Sequence, residues 1–155
     1  MTISDREREL LRRAIELAGE AGERGNRPFG SVIVVDDVAV AEGRNEVSSS
    51  GDISAHAELV ALRRAIADGH GERLAGATVY ASGEPCPMCA AACVWAGVGR
   101  IVFAASTAAF TSVIPDGPHF RLSCAEMIAS SDAAIVVDGP RLEEEALPVM
   151  SRYAG

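Results

Sequence analysis

Two short stretches carry residues that could do chemistry together: His56-Ala57-Glu58 and Pro85-Cys86-Pro87-Met88-Cys89. The first offers an imidazole and a carboxylate two residues apart, the second two thiols at i and i+3. His56, Cys86 and Cys89 make three good zinc ligands, and Glu58 is an acid to spare. Three protein ligands and an open position suit a catalytic zinc better than a closed structural one. In a helix interior, His56 and Glu58 would point about 200° apart around the axis. The spacing makes sense in a first turn, where His56 can hold a metal while Glu58 reaches a metal-bound water. Cys86 and Cys89 share one face of a helix, and a helix N-terminus favours thiolates. Zinc can lower the pKa of a bound water from 15.7 to about 7.

The bland alternatives are a solvated helix start for the first stretch and apolar filler for the cysteines. Either motif alone would allow them; the pairing, with prolines around the thiols, favours the metal. Two disulfides among Cys86, Cys89, Cys93 and Cys124 are the other reading of the thiols. Three of the four crowd together, and Met1 to Arg13 is charged and lacks an apolar h-region. With no secretory signal predicted, a reducing cytoplasmic location is expected, where such crowding reads as metal binding.

The elements that must position these stretches follow from periodicity and punctuation. Ser4 and Glu7 form a capping-box pattern ahead of Leu10, Leu11, Ala14, Ile15, Ala18 and Ala21, predicting a helix that ends by Gly22. Ser31 to Val35 and Val38 to Glu42 read as a hairpin about Asp36-Asp37, and Asn45 to Ser54 as a loop. Ser54 is the expected cap of a helix from Ala55 to about Asp68, with Leu59, Leu62 and Ile66 on its apolar side. Thr78 to Ser82 is a strand. Pro87 fits the first position of the next helix, which runs to about Ala96. Arg100 to Ala104 is a fourth strand, Ala105 to Phe120 a loop, Arg121 to Ser130 a helix, Ala134 to Val137 a fifth strand, and Leu142 to Tyr153 a last helix. The expected fold is α/β, a three-layer α-β-α sandwich on a mixed five-stranded sheet. Strands separated by helices are expected to pair in parallel.

One domain over residues 1–155 is expected, because a chain of this length can bury one sizeable core. No apolar run approaches the ~20 residues needed to cross a bilayer. The formal net charge of −8 removes the usual electrostatic footprint of a nucleic-acid binder, although a local basic patch would not show in that sum. All fourteen basic residues are Arg, which reads as compositional drift.

His56-Ala57-Glu58 followed by Pro85-Cys86-x-x-Cys89 resembles the signature of the zinc-dependent cytidine and nucleobase deaminase superfamily. Pro28-Phe29-Gly30, Asn45 and Glu84 extend the resemblance, which is nearest the branch of guanine, cytosine and tRNA adenosine deaminases. It implies zinc on His56, Cys86 and Cys89 and hydrolytic loss of ammonia from an exocyclic amine. Glu58 would be the proton carrier and the Cys86 backbone N–H a donor to the developing oxyanion. It also implies that the last two strands run parallel, that the protein is a homodimer, and that Asn45, Phe29 and Trp95 contact the substrate. The alternative for Asn45 is a turn residue, and for Trp95 and Phe29 core aromatics. Asp116 reads as a turn residue, His119 as a surface histidine, and Cys93 and Cys124 as core packing.

Beyond Phe103 the resemblance thins. The tRNA-editing subgroup usually carries basic residues there, whereas Thr107 to His119 has no Arg and Arg141 to Glu145 is net acidic. A free base or analogue (guanine, cytosine or an aminotriazine) is therefore the expected substrate, with a tRNA adenosine deaminase as the alternative. A non-catalytic zinc-stabilised module is the third reading, and it leaves Glu58 without a purpose.

Overall fold

The computed structural model describes residues 2–154. Helix α1 (Asp5–Glu23) opens on the expected capping box, Ser4 Oγ accepting from Glu7 N–H and Glu7 reaching back to Ser4 N–H. Its buried face, Leu10 to Ala21, packs on the sheet. Strands β1 (Gly30–Val35) and β2 (Val38–Arg44) form the expected hairpin. Asp36 and Asp37 both take positive φ, as a tight turn matched to strand twist requires.

After a short helical turn α2 (Val47–Ser50) come α3 (Ala57–Ala67), a 3-10 turn at Gly71–Leu74, β3 (Thr78–Gly83), α4 (Pro87–Ala96) and β4 (Arg100–Ala105). The chain ends with α5 (Thr107–Val113), α6 (Cys124–Ala129), β5 (Val136–Asp138) and α7 (Glu143–Arg152).

The sheet order is β2-β1-β3-β4-β5. β3-β4 and β4-β5 are parallel, as expected, but β1 runs antiparallel to both β2 and β3. Parallel pairing does not therefore follow for every strand reached through a helix. β1 is buried along its whole length and needs partners on both edges. The connection through α3 carries the chain over β1 and lays β3 on its free edge, in the direction of β2. One face of the sheet is covered by α1, α5 and α7, the other by α3, α4 and α6, each over its own apolar cluster. This is the three-layer sandwich.

Three local expectations are corrected. Ser54 does not cap α3; its hydroxyl donates to Asp52 at 2.6 Å, and His56 takes the N-cap position. Ile66 faces solvent, at 58% exposure, because Val60, Ala61, Leu62 and Ala65 fill the buried side. The stretch after β4 is not all loop. Ser106 caps α5 through Ala109 N–H, the Ser106 N–H donates to Glu143, and the Thr107 N–H donates to Glu84. Most of those partners are distant in sequence, and the run Thr-Ala-Ala-Phe-Thr-Ser-Val has little helical periodicity of its own.

The sheet's directions put the chemistry at one end. β1 begins at the end where β2, β3 and β4 finish, so Arg27 to Phe29, Asn45, Glu84 to Cys86 and Thr107 to Phe110 all lie there. Crevices at strand ends of α/β sheets are where ligands bind. Gly43 lets α3 close on β2: a Cβ there would lie 2.2 Å from Ala57 O and 2.6 Å from Ala61 N. No helix among the described residues is long and apolar enough to cross a membrane.

Candidate active site

Two helix starts meet at the site. His56 is the N-cap of α3 and Glu58 lies in its first turn; Cys86 is the N-cap of α4, Pro87 its first residue, and Cys89 follows within the first turn. His56 Nδ1 is 3.6 Å from the Sγ of Cys86 and 3.6 Å from the Sγ of Cys89. The three donor atoms all lie within 4.8 Å of one another. Zinc bonds of ~2.3 Å to sulfur and ~2.05 Å to nitrogen, at a tetrahedral angle, demand an N···S separation of ~3.6 Å. The donor set therefore fits the ion in element type, count and spacing. Both helix dipoles present their positive ends to the thiolates.

The electrostatics agree with a site built to hold charge. The Cys86 thiol is held down to about 4, first by the hydrogen bond from Cys89, then by His56 acting against burial. Cys89 is pushed well up, first by its hydrogen bond to Cys86 and then by burial. The Cys86 hydrogen bond also raises His56. Glu58 is only 5% exposed, and burial lifts its carboxyl to about 7, where it can both take and give a proton near neutrality.

Above these groups opens a cavity of about 480 Å³. Its walls include Phe29, Asn45, Glu58 and Phe110, with Arg27, Ile53, Met88, His119, Phe120 and Leu122 around them. Phe29 and Phe110 meet edge to face with ring centroids 5.2 Å apart, an arrangement aromatic quadrupoles favour. Asn45 is 4% exposed; its backbone N–H donates to Phe29 O at 3.0 Å, and its Oδ1 accepts from Val47 N–H at 3.1 Å. It is thus a turn residue and a cavity residue at once.

The structure brings His56, Glu58, Cys86, Cys89, Asn45 and Phe29 together. It does not bring Trp95, which is 89% exposed and absent from the cavity walls of its own chain. Six helical residues after Cys89 is about 600° of rotation, leaving the indole some 120° from the thiolate's direction. Cys93 and Cys124 are buried as packing, and burial drives both thiols up, Cys124 to about 12.

His119 is exposed in a loop, as expected, and also lines the cavity. Phe110, in the stretch after β4 where the resemblance places substrate-selecting residues, also lines the cavity. Arg27 joins it without a signal in the sequence, and Glu84 joins it with none for its role. Glu84 accepts from Thr107 N–H at 2.8 Å and Cys124 N–H at 2.9 Å, pinning the starts of α5 and α6 to the strand that delivers Cys86. The Ser106 cap was the one available signal for α5, the helix that carries Phe110.

A sandwich of this topology, with an imidazole and two thiolates gathered at two helix starts beside a buried acid, defines a zinc-site hydrolase class. The chain belongs to the family described as the cytidine and deoxycytidylate deaminase zinc-binding region, which matches residues 4–105. It is 44% identical over 97 residues to guanine deaminase of Bacillus subtilis, covering 62% of this chain and 62% of that protein. It is 29% identical over 148 residues to a probable cytosine deaminase of Schizosaccharomyces pombe, covering 94% and 90%. Among solved structures it resembles a tRNA:A34 deaminase with a TM-score of 0.77 and 30% identity, over 91% of this chain and 98% of that one. The match to the guanine deaminase thus spans about three fifths of that protein's length.

Proposed function

We propose that this protein is a zinc-dependent hydrolase that removes the exocyclic amine of a free nucleobase or base analogue, of guanine, cytosine or aminotriazine type, as ammonia. The observation that carries the reading is the buried Glu58 beside the His56-Cys86-Cys89 triad at the foot of a cavity walled by Phe29 and Phe110. His56, Cys86 and Cys89 hold the zinc. When bound, the ion supplies a Lewis acid that makes a coordinated water acidic near neutral pH.

Glu58 would take one proton from the attacking water and give it to the ring nitrogen, then take the second from the newly formed C–OH group and give it to the departing amine. Its raised pKa suits a group that must change state twice in one turnover. The Cys86 backbone N–H, at the head of α4, is the oxyanion donor. Asn45 orients the ring by hydrogen bonding, and Phe29 and Phe110, packed edge to face on each other, together wall one side of it. The net charge of −8 supports a small substrate over a polyanion. A homodimer is proposed alongside, supported by an exposed apolar stripe on α4, Met88 at 39% and Trp95 at 89%, seven residues apart on one helix face. Light scattering would measure it.

The second reading, a tRNA adenosine deaminase, is favoured by the likeness to the tRNA:A34 deaminase and by a cavity mouth rimmed with Ile53 and Phe120, which a flipped base could cross. An ammonia-release screen of the zinc-loaded protein over free bases, aminotriazines, nucleosides and tRNA decides between them. Turnover of free rings is expected; turnover of tRNA alone would transfer the protein to the second reading.

A further inference from the structure

The cavity holds one guanidinium. Arg27 belongs to the short loop between α1 and β1, on the same wall as Phe29, and is exposed at the mouth. One of its nitrogens, Nη2, donates to the carbonyl of Asp116 at 2.9 Å, across 89 positions of sequence. A Cβ on Gly117, whose φ is +84°, would lie 2.8 Å from that same nitrogen. The guanidinium is therefore seated against the Asp116-Gly117 turn rather than waving in solvent.

Its charge is not spent. Nine other arginines, from Arg6 to Arg141, pair with carboxylates. Arg27, like Arg8, Arg24, Arg121 and Arg152, has no carboxylate partner among the described residues, and of those five it alone lies in the wall of this cavity. The two acids in the cavity wall are elsewhere engaged: Glu58 is buried at the foot, and Glu84 accepts from two backbone N–H groups. In a chain carrying −8, an unpaired cation facing a cavity that holds more than a bare six-membered ring is a feature that calls for an anion. A guanidinium with one donor committed keeps others in its fork for a planar or tetrahedral oxyanion.

We propose that Arg27 is a specificity-determining residue, and that the preferred substrate is an aminated heteroaromatic ring carrying an anionic substituent, a carboxylate or a phosphate, directed toward the cavity mouth. This rests on the reading of the site as a deaminase of small aminated rings; its carboxylate form stays within the free bases and analogues, and its phosphate form widens that reading to nucleotides. The amine would enter toward Glu58, and the anion would remain at the rim beside Arg27. Phe29, the second residue after Arg27, would hold the ring between the two. The His119 ring lies on the same cavity wall, its Nε2 3.2 Å from Pro115 O.

The test uses matched pairs, one member neutral and one anionic, on the zinc-loaded full chain. The carboxylate arm compares cytosine with 5-carboxycytosine. The phosphate arm compares cytidine, guanosine and adenosine with their 5′-monophosphates, with the free bases alongside. A charge-assisted hydrogen bond to Arg27 is expected to raise kcat/KM of the anionic member about 10- to 100-fold over its neutral partner in at least one arm.

Arg27→Ala should collapse that ratio toward one, Arg27→Lys should keep part of it, and added salt should erode it in the unsubstituted protein. A role confined to holding the Asp116 turn would lower both members of a pair together and leave the ratio intact, which would overturn the assignment. Turnover of rings with no anionic preference in either arm would also overturn it, while leaving the deaminase reading standing. No ammonia from any ring, with zinc bound, would overturn both.

Discussion

Replacing Gly43 by Ala tests whether the α3 start is held where the chemistry needs it by a backbone contact remote from the cavity. A Cβ at this position in β2 would lie 2.2 Å from Ala57 O, 2.6 Å from Ala61 N and 3.0 Å from the Ala61 side chain. Two of those are helix backbone and cannot rotate away. Restoring van der Waals distance requires β2 and α3 to separate by roughly 1 Å. Overpacking of this kind costs about 1–3 kcal/mol.

In a domain of this size that is a fall in Tm of roughly 2–12 °C. The displaced segment begins at His56 and carries Glu58, so the ligand set loosens as well. A shift of about 1 Å in a catalytic group can cost about 100-fold in turnover. The assays are calorimetry, zinc competition against a chromogenic chelator, and ammonia release on whichever ring the screen identifies. Gly71→Ala is the control, since its nearest neighbour would be 3.8 Å away and its φ is ordinary; it should leave all three unchanged or raise Tm slightly. Gly43→Ala with unaltered Tm and zinc affinity would refute the argument that this contact sets the position of α3.

Glu58→Gln keeps size and burial but ends proton transfer, so it should retain zinc and fold and lose 10²- to 10⁴-fold in turnover; near-normal activity would remove Glu58 from the role. Stripping the metal with a chelator should lower Tm by roughly 5–10 °C relative to protein at free zinc 100-fold above Kd, and added zinc should restore it; equal Tm values would argue against zinc binding to the folded state. Burial opposes ionisation of Glu7 and Asp138, yet both carboxyls lie below their ordinary values because Arg100 pairs with each and Arg141 adds to the second. That stabilisation is complete above the ordinary carboxylate range and disappears as pH falls through the lowered values. Arg100→Gln should therefore flatten the acid limb of a Tm-against-pH curve below about pH 4, and an unchanged slope would count against it.

What could be read from sequence was whatever rests on contacts within a few residues. The capping box at Ser4 and Glu7, the Asp36-Asp37 turn and Pro87 at the head of α4 are local matters of dihedral preference and orphan N–H groups. The candidate ligand set was legible for the same reason. His56 with Glu58, and Cys86 with Cys89, are each confined to one helix start, and the chemistry of four donors on two starts left few other uses.

What the sequence could not decide was anything fixed by elements far apart along the chain. The side on which β3 docks depends on β1 having two edges to satisfy. The helix of Phe110 is held largely by Glu84 and Glu143, and Phe110 reaches the cavity by packing on Phe29. Trp95 shares α4 with the two thiols but points away from them, a matter of rotation about the axis that a resemblance in position did not capture. Arg27 was a loop residue like others until the fold laid it against Asp116. The motifs select the reaction because ligand chemistry is local. The substrate is selected by a cavity whose walls come from six separate segments, and only tertiary packing brings those together.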